Sequence, residues 1–294
     1  ITCCDHGYGR PSWRPRMSVP TTYRFGTPRD QHPAVARWQA HLRGLATAIH
    51  DISGLGLTPP RFIGEKMSVS ENLARVKEQL ADAAIRSNRS PESVKLIGVT
   101  KTVEVERIKE AVSAGLHILG ENYVQEARNK IEQVGGQASW HFIGRLQSNK
   151  AKYAVKLFDL IQTVDTLKLA TELNRRAQPL GRVIPIIIQV NLADEASKGG
   201  VHQVECLQLI RQISEFTHLQ IQGLMTMPPF FNDPERARPH FRRLRELSQE
   251  IAEAQLPNVE MHELSMGMSG DFEVAIEEGA TLIRVGTAIF GERP

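Results

Sequence analysis

The residues of this sequence that can do chemistry are one lysine and two small-residue loops far from it along the chain. Lys101 follows Val94-Lys95-Leu96-Ile97-Gly98-Val99-Thr100, a β-branched and aliphatic run that reads as a strand covered on both faces. An amphipathic pattern, with Val105, Ile108 and Val112 on one face, starts just after it. The lysine therefore stands at a strand's carboxyl end, where α/β folds place their reactive groups. A desolvated amine there forms a Schiff base with a carbonyl compound, whereas an isolated strand-edge lysine is usually just solvated. The two loops are Ser265-Met266-Gly267-Met268-Ser269-Gly270-Asp271 and Gly286-Thr287-Ala288-Ile289-Phe290-Gly291. Gly286 lets backbone approach an anion, Ser269 and Thr287 supply hydroxyls, and free amides complete a cradle. Either loop alone is an ordinary glycine-containing turn.

The elements that must hold these parts together alternate regularly. Strand patterns cover 94–102, 116–119, 139–144, 157–164, 183–191, 219–225, 261–264 and 281–285, with helical patterns between them at about 105–112, 124–134, 148–156, 166–178, 201–216, 234–254 and 272–278. Asn122 is a suitable cap for the helix at 124, Asp233 and Pro234 open the one at 234, and Gly279 closes the one at 272. Eight strands with helical crossovers predict a single (β/α)8 TIM-type barrel; a doubly wound open sheet is the competing architecture. The chain stops soon after the eighth strand, too soon for a full eighth outer helix. A helix at 70–87, opened by the capping box Ser68-Val69-Ser70-Glu71, is the natural replacement.

Residues 1–66 read differently from the rest. Arginines and prolines are scattered through them, and they carry nine Lys and Arg against four Asp and Glu, while the remainder carries 27 against 29. The net charge of +3 therefore comes from this leader, and the barrel region gives no support for nucleic-acid binding. The leader is expected to be disordered or to lie outside the native protein, with Met67 a plausible initiator; an organellar transit peptide is the alternative. No apolar run approaches the roughly 18 residues that cross a bilayer, and three cysteines without pairing pattern suit a reducing, cytoplasmic setting.

A lysine at the first strand with a phosphate cradle at the last two matches the two ends of pyridoxal 5'-phosphate. From Met67 onward the sequence resembles the pyridoxal phosphate homeostasis proteins, a family similar to the N-terminal barrel of alanine racemase. The resemblance rests on Val99-Thr100-Lys101-Thr102, Gly120-Glu121-Asn122-Tyr123-Val124-Gln125-Glu126, Trp140-His141-Phe142-Ile143-Gly144, Leu146-Gln147-Ser148-Asn149-Lys150, Ser197-Lys198-Gly199-Gly200, Gly223-Leu224-Met225, Leu264-Ser265-Met266-Gly267-Met268-Ser269 and Arg284-Val285-Gly286-Thr287-Ala288-Ile289-Phe290-Gly291. It implies that Lys101 forms the internal aldimine, that Ser269, Gly286 and Thr287 hold the phosphate, that Asn122 lies near the ring, and that Arg284 points at the pyridine nitrogen. It further implies a binding protein that buffers and delivers the cofactor to apoenzymes, without turnover. The alternative is a racemase-like catalyst on amino acids, which needs a second acid/base. Related racemases take that group from a domain after the barrel, and here the sequence ends at Pro294.

The other candidates are weaker. His117, His141 and His262 lack metal-ligand spacing and read as core or rim histidines. Lys150 and Lys198 fall near the expected barrel mouth, where either meets an anion or simply faces water. Phosphate-binding glycine motifs of nucleotide sites are absent.

Overall fold

The computed structural model describes residues 67–193 and 199–292, so the readings made for residues 1–66 and for Lys198 lie outside the described residues. Eight parallel strands run in order around a closed barrel: β1 (Lys95–Val99), β2 (Ile118–Glu121), β3 (Ser139–Phe142), β4 (Leu160–Val164), β5 (Ile184–Asn191), β6 (Leu219–Met225), β7 (Val259–Ser265) and β8 (Leu282–Val285). The ring closes where β8 pairs with β1, with Ile97 opposite Arg284. A two-residue strand, Val201–His202, adds onto the end of β5. The expected (β/α)8 barrel is thus the fold, and the open sheet is excluded by the closure.

The outer layer consists of α1 (Val69–Arg86), α2 (Val105–Ser113), α3 (Val124–Val134), α4 (Ala151–Leu157), α5 (Leu167–Ala177), α6 (Gln203–Ser214), α7 (Arg238–Ala252), the short α8 (Phe272–Glu277) and a single turn, α9 (Thr287–Phe290). The predicted capping box forms at α1, with Ser68 and Glu71 each bonding the other's backbone amide. Leu73 and Val76 are almost fully buried there, each contributing about 1.5–3 kcal/mol by leaving water. Asn72 donates to the carbonyl of Ile289 at 3.2 Å, and Arg86 pairs with Glu273 and Glu277. Helix α1 thus packs against α8 and α9, where an eighth outer helix would lie.

Among the boundaries that differ from the sequence reading, three have a visible cause. β1 stops at Val99 because Val103 N–H turns back to the carbonyl of Thr100. Leu116 belongs to the close of α2, its amide bonding Ala111, so β2 begins later. The helix expected from 234 begins as a 3-10 turn, Pro234–Ala237, and becomes α-helical at Arg238, where Pro239 occupies a position whose amide is unpaired in any helix.

Alternation along each strand sorts the side chains. Ile186 and Ile188 face the helices while Ile187 faces inward, and on β8 Ile283 and Val285 pack outward while Leu282 points in. The inner apolar cluster of Ile97, Leu160, Ile187, Met225 and Leu282 is small, because polar groups share the barrel. Lys95 and Thr281 both bond Glu263 at 2.5 Å. Among the described residues, no helix is long and apolar enough to cross a membrane, and no cluster of metal-ligating side chains occurs.

Candidate functional site

At the carboxyl end of the strands a cavity of about 300 Å³ opens, and Lys101, Asn122, Ser269, Arg284, Gly286 and Thr287 all line it. These six candidate residues come from the ends of β1, β2, β7 and β8, and the barrel brings them together.

Lys101 is half-buried in the turn that follows β1, two residues past its end. Asn122 follows β2 directly. It is not the cap expected: α3 is capped by Tyr123, without a side-chain hydrogen bond, and the Asn122 side chain is free to face the cavity wall instead. Its place is fixed from behind by Gly144, where an added Cβ would lie 2.3 Å from the Asn122 carbonyl oxygen and 2.6 Å from its Cα. A larger residue would push Asn122 away.

The loops after β7 and β8 are stitched together by backbone, with Arg284 N–H on the carbonyl of Gly267 at 3.0 Å and Met266 N–H on that of Leu282 at 3.1 Å. Gly267 has φ 91°, the left-handed region that suits glycine, and an added Cβ would lie 2.6 Å from that of Ala275. Ser269 Oγ accepts from the amides of Gly286 at 3.3 Å and Ala288 at 3.5 Å, so hydroxyl and amides already converge on one point. Thr287 is exposed at the rim. Asp271 caps the Met268 amide at 2.6 Å, and burial raises its carboxyl above the ordinary range.

Arg284 points inward, as the β8 alternation requires, and is only 4% exposed. Its guanidinium donates to Ser265 Oγ at 2.6 Å and to the carbonyl of Thr226 at 2.9 Å. Burial lowers it to about 10, against the opposing pull of Asp271, and it remains charged at neutral pH. Ser265 in turn donates to Gln162 Oε1 at 2.6 Å, which leaves the Gln162 amide nitrogen facing His141 Nδ1 at 2.9 Å. His141 must therefore accept at Nδ1; burial holds it neutral, its pKa pushed down to about 4. The histidine read as a core residue is one, with a defined tautomer. His117 and His262 are exposed on the outside.

Much of the remaining cavity lining is apolar, including Val99, Ile143, Met227, Phe231 and Ala237. Phe231 is held between a stacked His240 ring and the Arg236 guanidinium, 4.8 Å from its centroid. Met227, Phe231, Asp271 and Ser265 escaped the sequence reading. For Ser265 a signal existed, since alternation from Glu263 along β7 turns it inward. Lys150 lines a separate, more open recess beside the cavity. An amine, a converging set of anion donors and a buried cation in a cavity otherwise largely apolar suit a small, flat, phosphorylated carbonyl compound.

Residues 72–294 match the family described as the alanine racemase N-terminal domain. The pyridoxal phosphate homeostasis protein of Aquifex aeolicus is 45% identical over 228 residues, covering 77% of this chain and 99% of that protein. The protein of the same name from Escherichia coli K12 is 39% identical over 229 residues, with 76% and 97% covered. Among solved structures, PipY of Synechococcus elongatus PCC7942 with PLP bound superposes with a TM-score of 0.67 at 38% identity, over 76% of this chain and all of PipY. Alanine racemase of Clostridium difficile 630 shares the fold alone, at 16% identity and a TM-score of 0.61, over 76% of this chain and 57% of that one.

Proposed function

This chain belongs to the pyridoxal phosphate homeostasis protein family, built on the alanine racemase N-terminal barrel, and from that premise we propose that it binds pyridoxal 5'-phosphate covalently through Lys101 and buffers or delivers it without turnover. The observation that carries the reading is the convergence of Lys101, Arg284 and the Ser269, Gly286 and Thr287 donors on one cavity. When bound, the cofactor supplies an aldehyde and an electron sink. The chain's own residues do the rest. Lys101 presents the amine, the two loops take the phosphate through hydroxyls and amides, and Asn122 with the apolar wall fixes the ring.

Arg284 favours a carrier over a catalyst. A guanidinium that stays charged cannot give up a proton readily, so a pyridine nitrogen beside it is kept unprotonated and the ring is a weaker sink. The racemase-like alternative needs an acid or base opposite Lys101; Asp271, the one carboxyl among the described lining residues, is already committed to the Met268 amide. The reading takes residues 67–294 as the functional unit, apoenzymes that require the cofactor as acceptors, and the cytoplasm as the location. The unbridged, buried thiol of Cys206 supports the last. The deciding experiment is the visible spectrum of purified protein with and without borohydride, followed by peptide mapping. Reduced cofactor on the peptide containing Lys101 supports the proposal, and reduced cofactor on another lysine overturns it.

A further inference from the structure

We propose that Glu121, Glu126 and Lys130 are positioning residues that hold the Lys101 amine in place by gripping the backbone on both sides of it. The proposal rests on the reading of Lys101 as the attachment point. Thr100-Lys101-Thr102-Val103 is a β-turn, closed by the Val103 amide on the Thr100 carbonyl at 2.9 Å. Thr102 sits at its third position with φ 59°, a left-handed conformation that glycine or asparagine usually takes and that a β-branched residue adopts only under constraint. Strain of this kind persists where the surroundings over-determine the backbone, and it gathers at functional sites.

The constraint comes from α3 and the end of β2. Lys130, buried on α3, donates to the Thr100 carbonyl at 2.5 Å, to Glu121 Oε1 at 2.9 Å and to Glu126 Oε1 at 2.6 Å. Glu121 Oε1 also accepts from the Thr100 hydroxyl at 2.6 Å, and Glu126 Oε1 accepts from the Thr102 amide at 2.6 Å. Both neighbours of Lys101 are thus tied to one ammonium. Its three bonds leave that ammonium fully used.

Nothing in packing alone calls for this arrangement. Glu121 is fully buried, and its second oxygen, Oε2, has no hydrogen-bond partner among the described residues. A buried ion network with an orphan oxygen is a costly way to fill space, and apolar residues of similar volume commonly serve stability as well. Its place, directly behind the turn that carries the reactive amine, is where rigidity has a use: an amine whose backbone is fixed loses little freedom when it captures a carbonyl.

Glu126 is the member to vary, because it is partly exposed and its loss leaves Lys130 paired with Glu121. In Glu126→Ala the Thr102 amide loses its acceptor; Glu126→Gln keeps one. Two readouts separate positioning from mere structure. The first is the rate at which added pyridoxal 5'-phosphate becomes borohydride-trappable on Lys101, set against urea unfolding of the apo-protein. The second, which needs no cofactor, is trace acetylation of Lys101 in the apo-protein relative to its other lysines. Glu126→Ala should slow trapping about tenfold or more, as the loss of a charge-assisted bond implies, and alter Lys101 acetylation, with Glu126→Gln returning most of both. Wild-type trapping and acetylation in Glu126→Ala would overturn the proposal. So would a loss that Gln leaves unrepaired and that follows apo-protein stability. If wild-type protein traps cofactor on a different lysine, the functional reading fails, while the acetylation ratio still decides the positioning role.

Discussion

Arg284 reaches 2.6 Å to Ser265 Oγ on the neighbouring strand, and through Ser265, which bonds Gln162 across the interior of the barrel, its charge is tied to a neutral histidine on the far wall. The guanidinium therefore cannot swing away from the cavity, and no carboxylate bonds it directly among the described residues. A cation so fixed beside a bound pyridine ring disfavours ring protonation. The purified protein, loaded with cofactor, should show α-proton exchange and racemisation of common amino acids no faster than free cofactor, because a positioned acid/base is worth about 10²- to 10⁴-fold and Asp271, the carboxyl of the described lining, already accepts from the Met268 amide. Exchange of the α-proton followed by NMR in D₂O checks this; rates well above free cofactor that vanish in Lys101→Ala would make the protein an enzyme.

The proposed phosphate donors can be tested one by one. Ser269→Ala and Thr287→Ala should each weaken cofactor retention by about 1.5–3 kcal/mol, the worth of a hydrogen bond to a charged group, while leaving the Lys101 linkage able to form. Lys101→Ala should abolish the linkage. Equilibrium dialysis gives the affinities, and unchanged affinity in the Ser269→Ala, Thr287→Ala double variant would place the phosphate elsewhere.

His141 makes stability depend on pH. Its folded pKa of about 4 lies below the ordinary histidine value of 6.5, so below 6.5 the unfolded chain binds more protons than the folded one. The neutral, Gln162-bonded form is favoured fully above pH 6.5, and its contribution falls as pH drops towards 4, by up to about 1.4 kcal/mol per pH unit. Urea unfolding at pH 7.5 and pH 5 should therefore show a larger loss in wild type than in His141→Gln. An equal loss in both would show that the histidine is not buried neutral.

Helix α1 is expected to be a structural part and residues 1–66 not to be. Leu73→Ala, which empties a fully buried position on α1, should cost about 2–5 kcal/mol by urea unfolding. Removal of residues 1–66 should leave both stability and cofactor binding as they are. A large loss on that deletion would make the leader part of the fold.

The barrel was legible because its strands are continuous apolar runs separated by amphipathic helices, whereas the inward direction of Arg284 was implied by the family resemblance and not by the pattern, since Leu282 on its own face is as apolar as Ile283 and Val285 on the other. The glycine and hydroxyl residues of the two loops were legible by type. What escaped depends on the third dimension. Asn122 looks like a helix cap in one dimension, yet the backbone lets Tyr123 take that position and uses Gly144 to press Asn122 to the cavity. Nothing in Thr100-Lys101-Thr102 announces a left-handed threonine. Likewise Gln162 and His141 stand on separate strands, and their link to Ser265 exists only once β3, β4 and β7 face one another.

The barrel's closing pair of strands has a further consequence. Lys101 lies in the turn after β1 and Ser269, Gly286 and Thr287 in the loops after β7 and β8, so a ligand held at both ends spans the seam at which the first and last strands meet. Such a ligand is a clasp. Whatever it gains by binding is also withheld from any fluctuation that parts β8 from β1, so amides along that seam should exchange with solvent more slowly when the clasp is fastened. By the same linkage, a surface that pried the seam apart would loosen both ends of the ligand in one motion.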